Sequence, residues 1–442
     1  MKKRRKIIVA SVLMLLAGAG WISATQYMSD TTMEVEVIDG LAEIKGCVFK
    51  TAFEGEGVES GPVYLTPAKV ERSIDEGLDW LASAQASSGG YGAGSHGAQN
   101  VRDPHAVKTD PATTSMVAMS LLRSGSTLQK GPYAKNLRKA LDHLLETVES
   151  SDPNHPNITT VTGTQIQAKL GQNIDLVLTS QCLTNMLDYT SYDPALYKRV
   201  KKGIEKCVGK IENSMSANGS MKGAGWAGVL QSSFAVNALE SAQANGVEVE
   251  EEVLDDARSY QKKNYDLSTN SVSTKDGAGV VLYSVSSSAR SSAKEARIAK
   301  RKIQEAKSNG ILADDDEVSE ENLIKAGVSE SDAMKLGTAY EINKSAQRMA
   351  SSEKVMTGYG NNGGEEFLSF LQTGEGLIMS GDNDWQDWYD NMSDKLVKIQ
   401  NQDGSWNGHH CITSPVFCTA TCLLILAVNN DIETLKQTTM NQ

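Results

Sequence analysis

From about residue 70 onward the apolar positions alternate between two patterns. In "VERSIDEGLDWLASAQ" the residues Ile74, Leu78 and Leu81 fall at helical spacing, with Trp80 beside them and charged residues between. This spacing predicts an amphipathic helix with one face buried. The following segment, "DPATTSMVAMSLLRSG", is apolar on more than one side through Met116, Val117, Met119, Leu121 and Leu122. That pattern predicts a helix buried all round. Gly89, Gly90 and Gly92 stop the first helix. Asp110 and Pro111 start the second, with Asp as the cap and Pro at the first helical position.

The alternation recurs. "AKNLRKALDHLLETVES" leads to "NIDLVLTSQCLTNMLDY", "YKRVKKGIEKCVGKIENS" to "WAGVLQSSFAVNALESAQ", and "EEEVLDDARSYQKKNYD" to "GAGVVLYSVSSSAR". The last copy joins "DWQDWYDNMSDKLVKIQNQDGSWNG" to "SPVFCTATCLLILAV", after the inner-type segment "GGEEFLSFLQTGEGLIMSG". A helix pair repeating at roughly 50 residues marks a repeat architecture. We therefore expect an all-α fold, an α/α toroid of about five to six helix pairs with an inner and an outer ring, plus a short N-terminal extended segment. The expected boundaries are 1–24 for a signal peptide or signal anchor, 25–70 for a linker and strap, 71–430 for the toroid and 431–442 for a tail. The charged, Ala-rich stretch 294–352 reads as a further helix pair with a solvated face, or as a protruding insertion.

Charge adds one exclusion and one address. The formal net charge is −12, and the first six residues carry five of the positive charges, so the rest of the chain is more acidic still. Such a chain does not bind nucleic acid through general electrostatics. At the N-terminus a basic cluster, Lys2 to Lys6, precedes the apolar run Ile7 to Leu16 and the small residues Ala17, Gly18 and Ala19. This is the layout of an export signal. The apolar run continues to Ala24, long enough for an uncleaved membrane anchor as well. Either way the rest of the chain is expected outside the cytoplasm, where its six cysteines can form disulfides.

The segment "IQNQDGSWNG" followed by "TATCLLIL" resembles the QW-type repeat of squalene cyclases and the related prenyltransferase toroids. Its motif is Gln402, Asp403, Gly404, Ser405 and Trp406, with "NGSMKGAGWAG" and "ASSGGYGAG" as weaker copies. The resemblance implies an α/α toroid over about 70–430, with the Trp packing on the preceding helix and the Gln tying the loop to a helix end. The chemistry of the family does not carry over. The Asp-rich acid motif of hopene-synthase-like cyclases is reduced to Asp110 in "DPATTS", and "VFCTATC" lacks the flanking acids of the oxidosqualene motif. Aromatic residues make up 6% of the chain, few for a cavity that must stabilise carbocations. No Asp-x-Cys zinc motif of the prenyltransferases precedes an inner segment.

The remaining candidates lie in "GHHCITSPVFCTATC". His409, His410 and Cys411 stand at the turn into the last inner helix, where toroid enzymes place chemistry. A Cys411–Cys418 disulfide stapling that turn is one reading. Zinc on His409, His410 and Cys411 is another, although it matches no standard ligand spacing. The long polar loop "GSHGAQNVRDPHAVKTD" reads as a connection that could also face a ligand. No cofactor is expected. The chain reads as an exported, membrane-tethered or released scaffold whose partner is an envelope protein, a lipid or a small apolar ligand. The alternative is a divergent terpenoid cyclase-like, prenyltransferase-like or lyase-like enzyme.

Overall fold

A computed structural model describes residues 66–360, 362–381 and 385–430. Contacts divide the chain after Glu43, and all described residues belong to the second unit, 44–442. The expected signal or anchor, nearly all of the strap, and the tail lie outside the described residues.

The described residues are predominantly helical. The series begins with α1 (Ala68–Ser83), α2 (Pro111–Arg123), α3 (Ala134–Ser150), the short α4 (Gln165–Lys169) and α5 (Ile174–Met186). It continues with α6 (Pro194–Asn213), α7 (Gly228–Ala244), α8 (Glu251–Lys263) and α9 (Val281–Ser308). The last third holds α10 (Glu320–Lys325), α11 (Glu330–Ala350), α12 (Glu353–Met356), α13 (Gly364–Ser380), α14 (Trp385–Lys398) and α15 (Pro415–Leu426). A two-residue hairpin pairs Tyr265–Asp266 with Ser271–Val272.

Six helices close a ring: α2 packs on α5, α5 on α7, α7 on α9, α9 on α13, α13 on α15, and α15 returns to α2. Every residue of α2, α5 and α15 is buried, which is why these sequences are apolar on all sides. The outer helices bury one face only; α3 buries Leu137, Ala140, Leu141, Leu144, Leu145 and Val148. Each such leucine stabilises the fold by about 2 kcal/mol. The architecture is the expected toroid, but the pairing is shifted by half a repeat. Outer helices α3, α6, α8, α11 and α14 pack on the inner helix before them, and α1 closes the circle on α15. The connections explain this: inner-to-outer links such as 245–250 are short, whereas the outer-to-inner link 84–110 is long.

Side chains crowd the axis of the ring among the described residues. Met116, Met119, Phe234, Leu371 and Leu424, with the polar Gln181, Asn237, Arg290 and Glu375, leave a void of about 20 Å³, room for about one water. Below it, Arg123, Glu375, Arg290, Glu240 and Arg258 form a buried charge ladder. Glu375 lies 3.4 Å from Arg123 and 3.2 Å from Arg290, and Glu240 lies 2.8 Å from Arg258.

The repeat turn is built the same way three times. Gly89, Gly219 and Gly404 all have φ between 83° and 88°, a conformation that favours glycine. A Cβ there would lie 2.5, 2.0 and 2.5 Å from the carbonyl oxygens of Lys139, Asp256 and Glu76, each on the next outer helix. Two residues on, the backbone N–H of Tyr91, Met221 and Trp406 donates to Thr114, Ser232 and Thr419 on the following inner helix. Trp406 is fully buried, and its Nε1 donates to Leu396 O at 2.8 Å. Asp403 accepts from Trp80 Nε1 and from Ser405. Gln402, expected to tie the loop, is instead exposed. The tie is Gln400, whose Nε2 donates to Ser73 O and Gly404 O. In the first copy Gln85 does the same toward Gly89 O and Asn136 O.

The stretch 294–352 holds the far end of α9, the short α10 and the outer helix α11. The far end of α9 runs on with α10 to form a satellite core of Ala299, Ile303, Leu312, Leu323 and Ala333.

Candidate functional site

The inner helices start at one end of the ring, and that mouth gathers buried acids. Asp110 caps α2, Asp175 lies in the first turn of α5, and Glu365 and Glu366 lie in the first turn of α13. Carboxylates are favoured there by the partial positive charge of helix N-termini. Burial works against ionisation. It pushes Asp110 up to about 7, with the nearby Asp175 adding to the rise. It also pushes Glu365 up to about 7, reinforced by the charge of Glu366.

The acids form two groups with different prospects. Asp110, expected as a candidate, is fully engaged. It accepts from Thr113 N at 2.7 Å and from Ala93 N at 2.8 Å, so it caps a helix and clamps the loop before it. Asp175 accepts from Ala112 N and Gln167 Nε2. These two acids hold the mouth together and present no free acceptor oxygen to a ligand.

The second group is open. Tyr283, from α9, donates to Glu366 Oε1 at 2.5 Å, and Tyr359 N donates to the same oxygen at 2.9 Å. The Tyr283 hydroxyl is kept protonated by burial and by the charges of Glu366 and Glu365. Glu366 Oε2 is buried without a hydrogen-bond partner, and so are both ring nitrogens of His410. His410 Nε2 stands 3.8 Å from Glu366 Oε2, too far for a hydrogen bond. A hydroxyl seated beside both atoms would complete the pair. Leaving such groups unpaired costs about 1–3 kcal/mol each. Gly363 makes the approach possible, since a Cβ there would lie 2.5 Å from Glu366 Oε2 and 2.6 Å from the His410 ring.

Glu365 Oε2 accepts from Ile412 N at 3.2 Å. Cys411, next to it, has φ of 57°, a strained conformation for a non-glycine residue. Gln99 donates to Cys411 O, and Arg102 donates to Thr413 O, so the polar loop 95–109 fastens this turn. Lys169 is nearly buried, and its charge is felt at both Glu365 and Cys411. Its Nζ lies 4.2 Å from the centroid of the Trp226 ring. Trp226 is 67% exposed and Tyr359, edge-on to His410 at 5.2 Å, is 69% exposed. Two exposed aromatic rings thus stand against Lys169 and His410.

The other expectations for this turn are revised. Cys411 and Cys418 are both free thiols, where a disulfide was one of the readings. Cys418 is buried and donates its thiol to Ile412 O at 3.5 Å, while Cys411 faces Glu365. Burial, with Glu365 beside it, pushes the Cys411 thiol up to about 11, which removes it as a thiolate nucleophile at neutral pH. His409 is exposed and apart from His410, and among the described residues no group of three or more His, Cys, Asp or Glu is arranged to hold a metal ion. Sequence reasoning missed Glu365, Glu366 and Lys169. The available signal was "GGEEFL", two adjacent acids opening an otherwise apolar inner helix.

No protein-family model matches the chain, and no curated protein matches it. Among solved structures, the chain is similar to a glycosidase at a TM-score of 0.31 and 11% identity, over 82% of this chain and 97% of that one. At that distance the likeness carries no argument about activity. Among the described residues no helix is long and apolar enough to cross a membrane.

Proposed function

We propose that the chain is a squalene-cyclase-like repeat toroid that works outside the cytoplasm as a binding protein and takes a hydroxylated ligand at the mouth of its ring. The observation that carries this reading is the set of buried, unpartnered polar atoms on Glu366 and His410. The axial void of about 20 Å³ is far too small for a polycyclic hydrocarbon, which favours the mouth over the axis. Trp226 and Tyr359 offer flat faces against which a ring can stack. Beside the envelope protein, lipid or small apolar ligand expected from sequence, this reading puts forward a polar ligand. The second reading, an enzyme, rests on Glu365 holding its proton to about pH 7 beside an acceptor pair. A general acid needs that property.

Calorimetric titration of the purified chain lacking residues 1–24 against neutral mono- and oligosaccharides tests the site. Binding that falls at least tenfold in His410→Phe and in Glu366→Gln supports it. Binding that both variants retain, or its absence across the panel, refutes it. Cell fractionation with a C-terminal tag tests the location: a tag inaccessible to protease added outside the cytoplasmic membrane overturns the export reading.

A further inference from the structure

On the outside of the ring, the outer helices α11 and α14 stand apart and leave a cleft of about 300 Å³. That volume is at the lower end of small-molecule sites. The cleft is basic in an acidic protein. Lys300, Lys344, Arg348 and Lys395 line it, against one carboxylate among the described residues, Asp387. Lys344 and Arg348 are one turn apart on α11, and neither has an ion-pair partner among the described residues. Tyr340 holds two of the cations near its ring, Lys344 at 5.5 Å and Lys300 at 6.0 Å. Lys300 also donates to Ser380 O, and Lys395 lies 4.7 Å over the Phe370 ring.

The floor is apolar, with Leu377 and Met392 in the lining. Trp388 lies among them, 6% exposed, and its Nε1–H is buried without an acceptor. An indole N–H normally finds a partner when buried. Three features therefore coincide: a patch of positive charge, an apolar bed, and a donor with nothing to donate to. We propose that the cleft between α11 and α14 binds an organic anion, a phosphate ester on an apolar body, with Lys344 and Arg348 on the phosphate and Trp388 Nε1 donating to an ester or phosphate oxygen. The charge of Glu366 at the mouth is felt at Lys395, but the proposal does not depend on the reading given to the mouth.

The probe is phenyl phosphate, titrated calorimetrically into the purified chain lacking residues 1–24, with inorganic phosphate and benzyl alcohol as controls. Saturable binding of phenyl phosphate is expected, at least tenfold tighter than either control. Lys344→Gln/Arg348→Gln should weaken it at least tenfold, and Trp388→Phe, which keeps the ring and removes the donor, about threefold or more. The two α11 side chains are partly or fully exposed, so the double variant is expected to fold, and circular dichroism checks it. Sedimentation with phosphatidylglycerol vesicles, against phosphatidylcholine, distinguishes a lipid headgroup from a free ester. Binding to either phosphate source that depends on Lys344 and Arg348 supports the proposal. Absence of binding to both, or affinity unchanged in the double variant, overturns it.

Discussion

Glu365 makes stability depend on pH in a direction opposite to that of most carboxylates. Below pH 4.5 it is protonated in both the folded and the unfolded chain. Between pH 4.5 and about 7 the unfolded chain releases the proton and the folded chain keeps it. The unfolded state therefore binds fewer protons, and stability falls as pH rises through this window. Above about 7 the loss is complete. Raising the folded value from 4.5 to about 7 corresponds to about 3 kcal/mol. Glu365→Gln keeps the shape and an oxygen that can accept from Ile412 N, and it removes the charge. The variant should match the parent at pH 4.5 and exceed it by about 3 kcal/mol above pH 7. Asp110 titrates in the same window, so the parent curve alone is not diagnostic; the difference between the two proteins is. Urea unfolding at half-unit steps from pH 4.5 to 8 measures it. Parallel curves for parent and variant would refute the assignment of a buried, protonated acid at the mouth.

Two further outcomes follow from the interior. Glu375→Gln leaves Arg290 and Arg123 buried with their shared carboxylate gone, so stability should drop by about 3–5 kcal/mol, read as a lower urea midpoint; a loss under about 1 kcal/mol would contradict the ladder. Cys411 should react with a disulfide reagent slowly at pH 7 and about tenfold faster per pH unit toward its value of about 11. In denaturant without reductant both Cys411 and Cys418 should label, and a peptide joining them would sink the free-thiol assignment.

What could be seen in advance, and what could not, has a physical division. The ring was legible because burial on all sides leaves a continuous apolar signature: "PVFCTATCLLIL" has no polar face to present to water. The turn was legible because glycine at positive φ and a buried Trp are chemically distinctive. Its register was not, since Gln400 and Gln402 are two residues apart and only the bond from Gln400 to Gly404 O separates them. The half-repeat shift in pairing is invisible to periodicity, which tells how a helix is buried but not against which neighbour.

The candidate site was harder to read, because its parts come from distant segments. Tyr283, Glu366 and His410 are brought together by α9, α13 and the turn before α15. Sequence directed attention to the cysteines and histidines of that turn, which are chemically conspicuous. Yet Cys411 is held protonated, Cys418 is spent on a carbonyl, and His409 faces solvent. Of the conspicuous set only His410 remains, and it matters because of a glutamate about 44 residues earlier that periodicity alone scores as a misplaced charge. An acid at the start of a fully buried inner helix is costly to bury. Two in succession, one of them protonated and one with an oxygen left open, therefore mark the mouth as the part of this fold where stability is given up, and it is there that we propose binding.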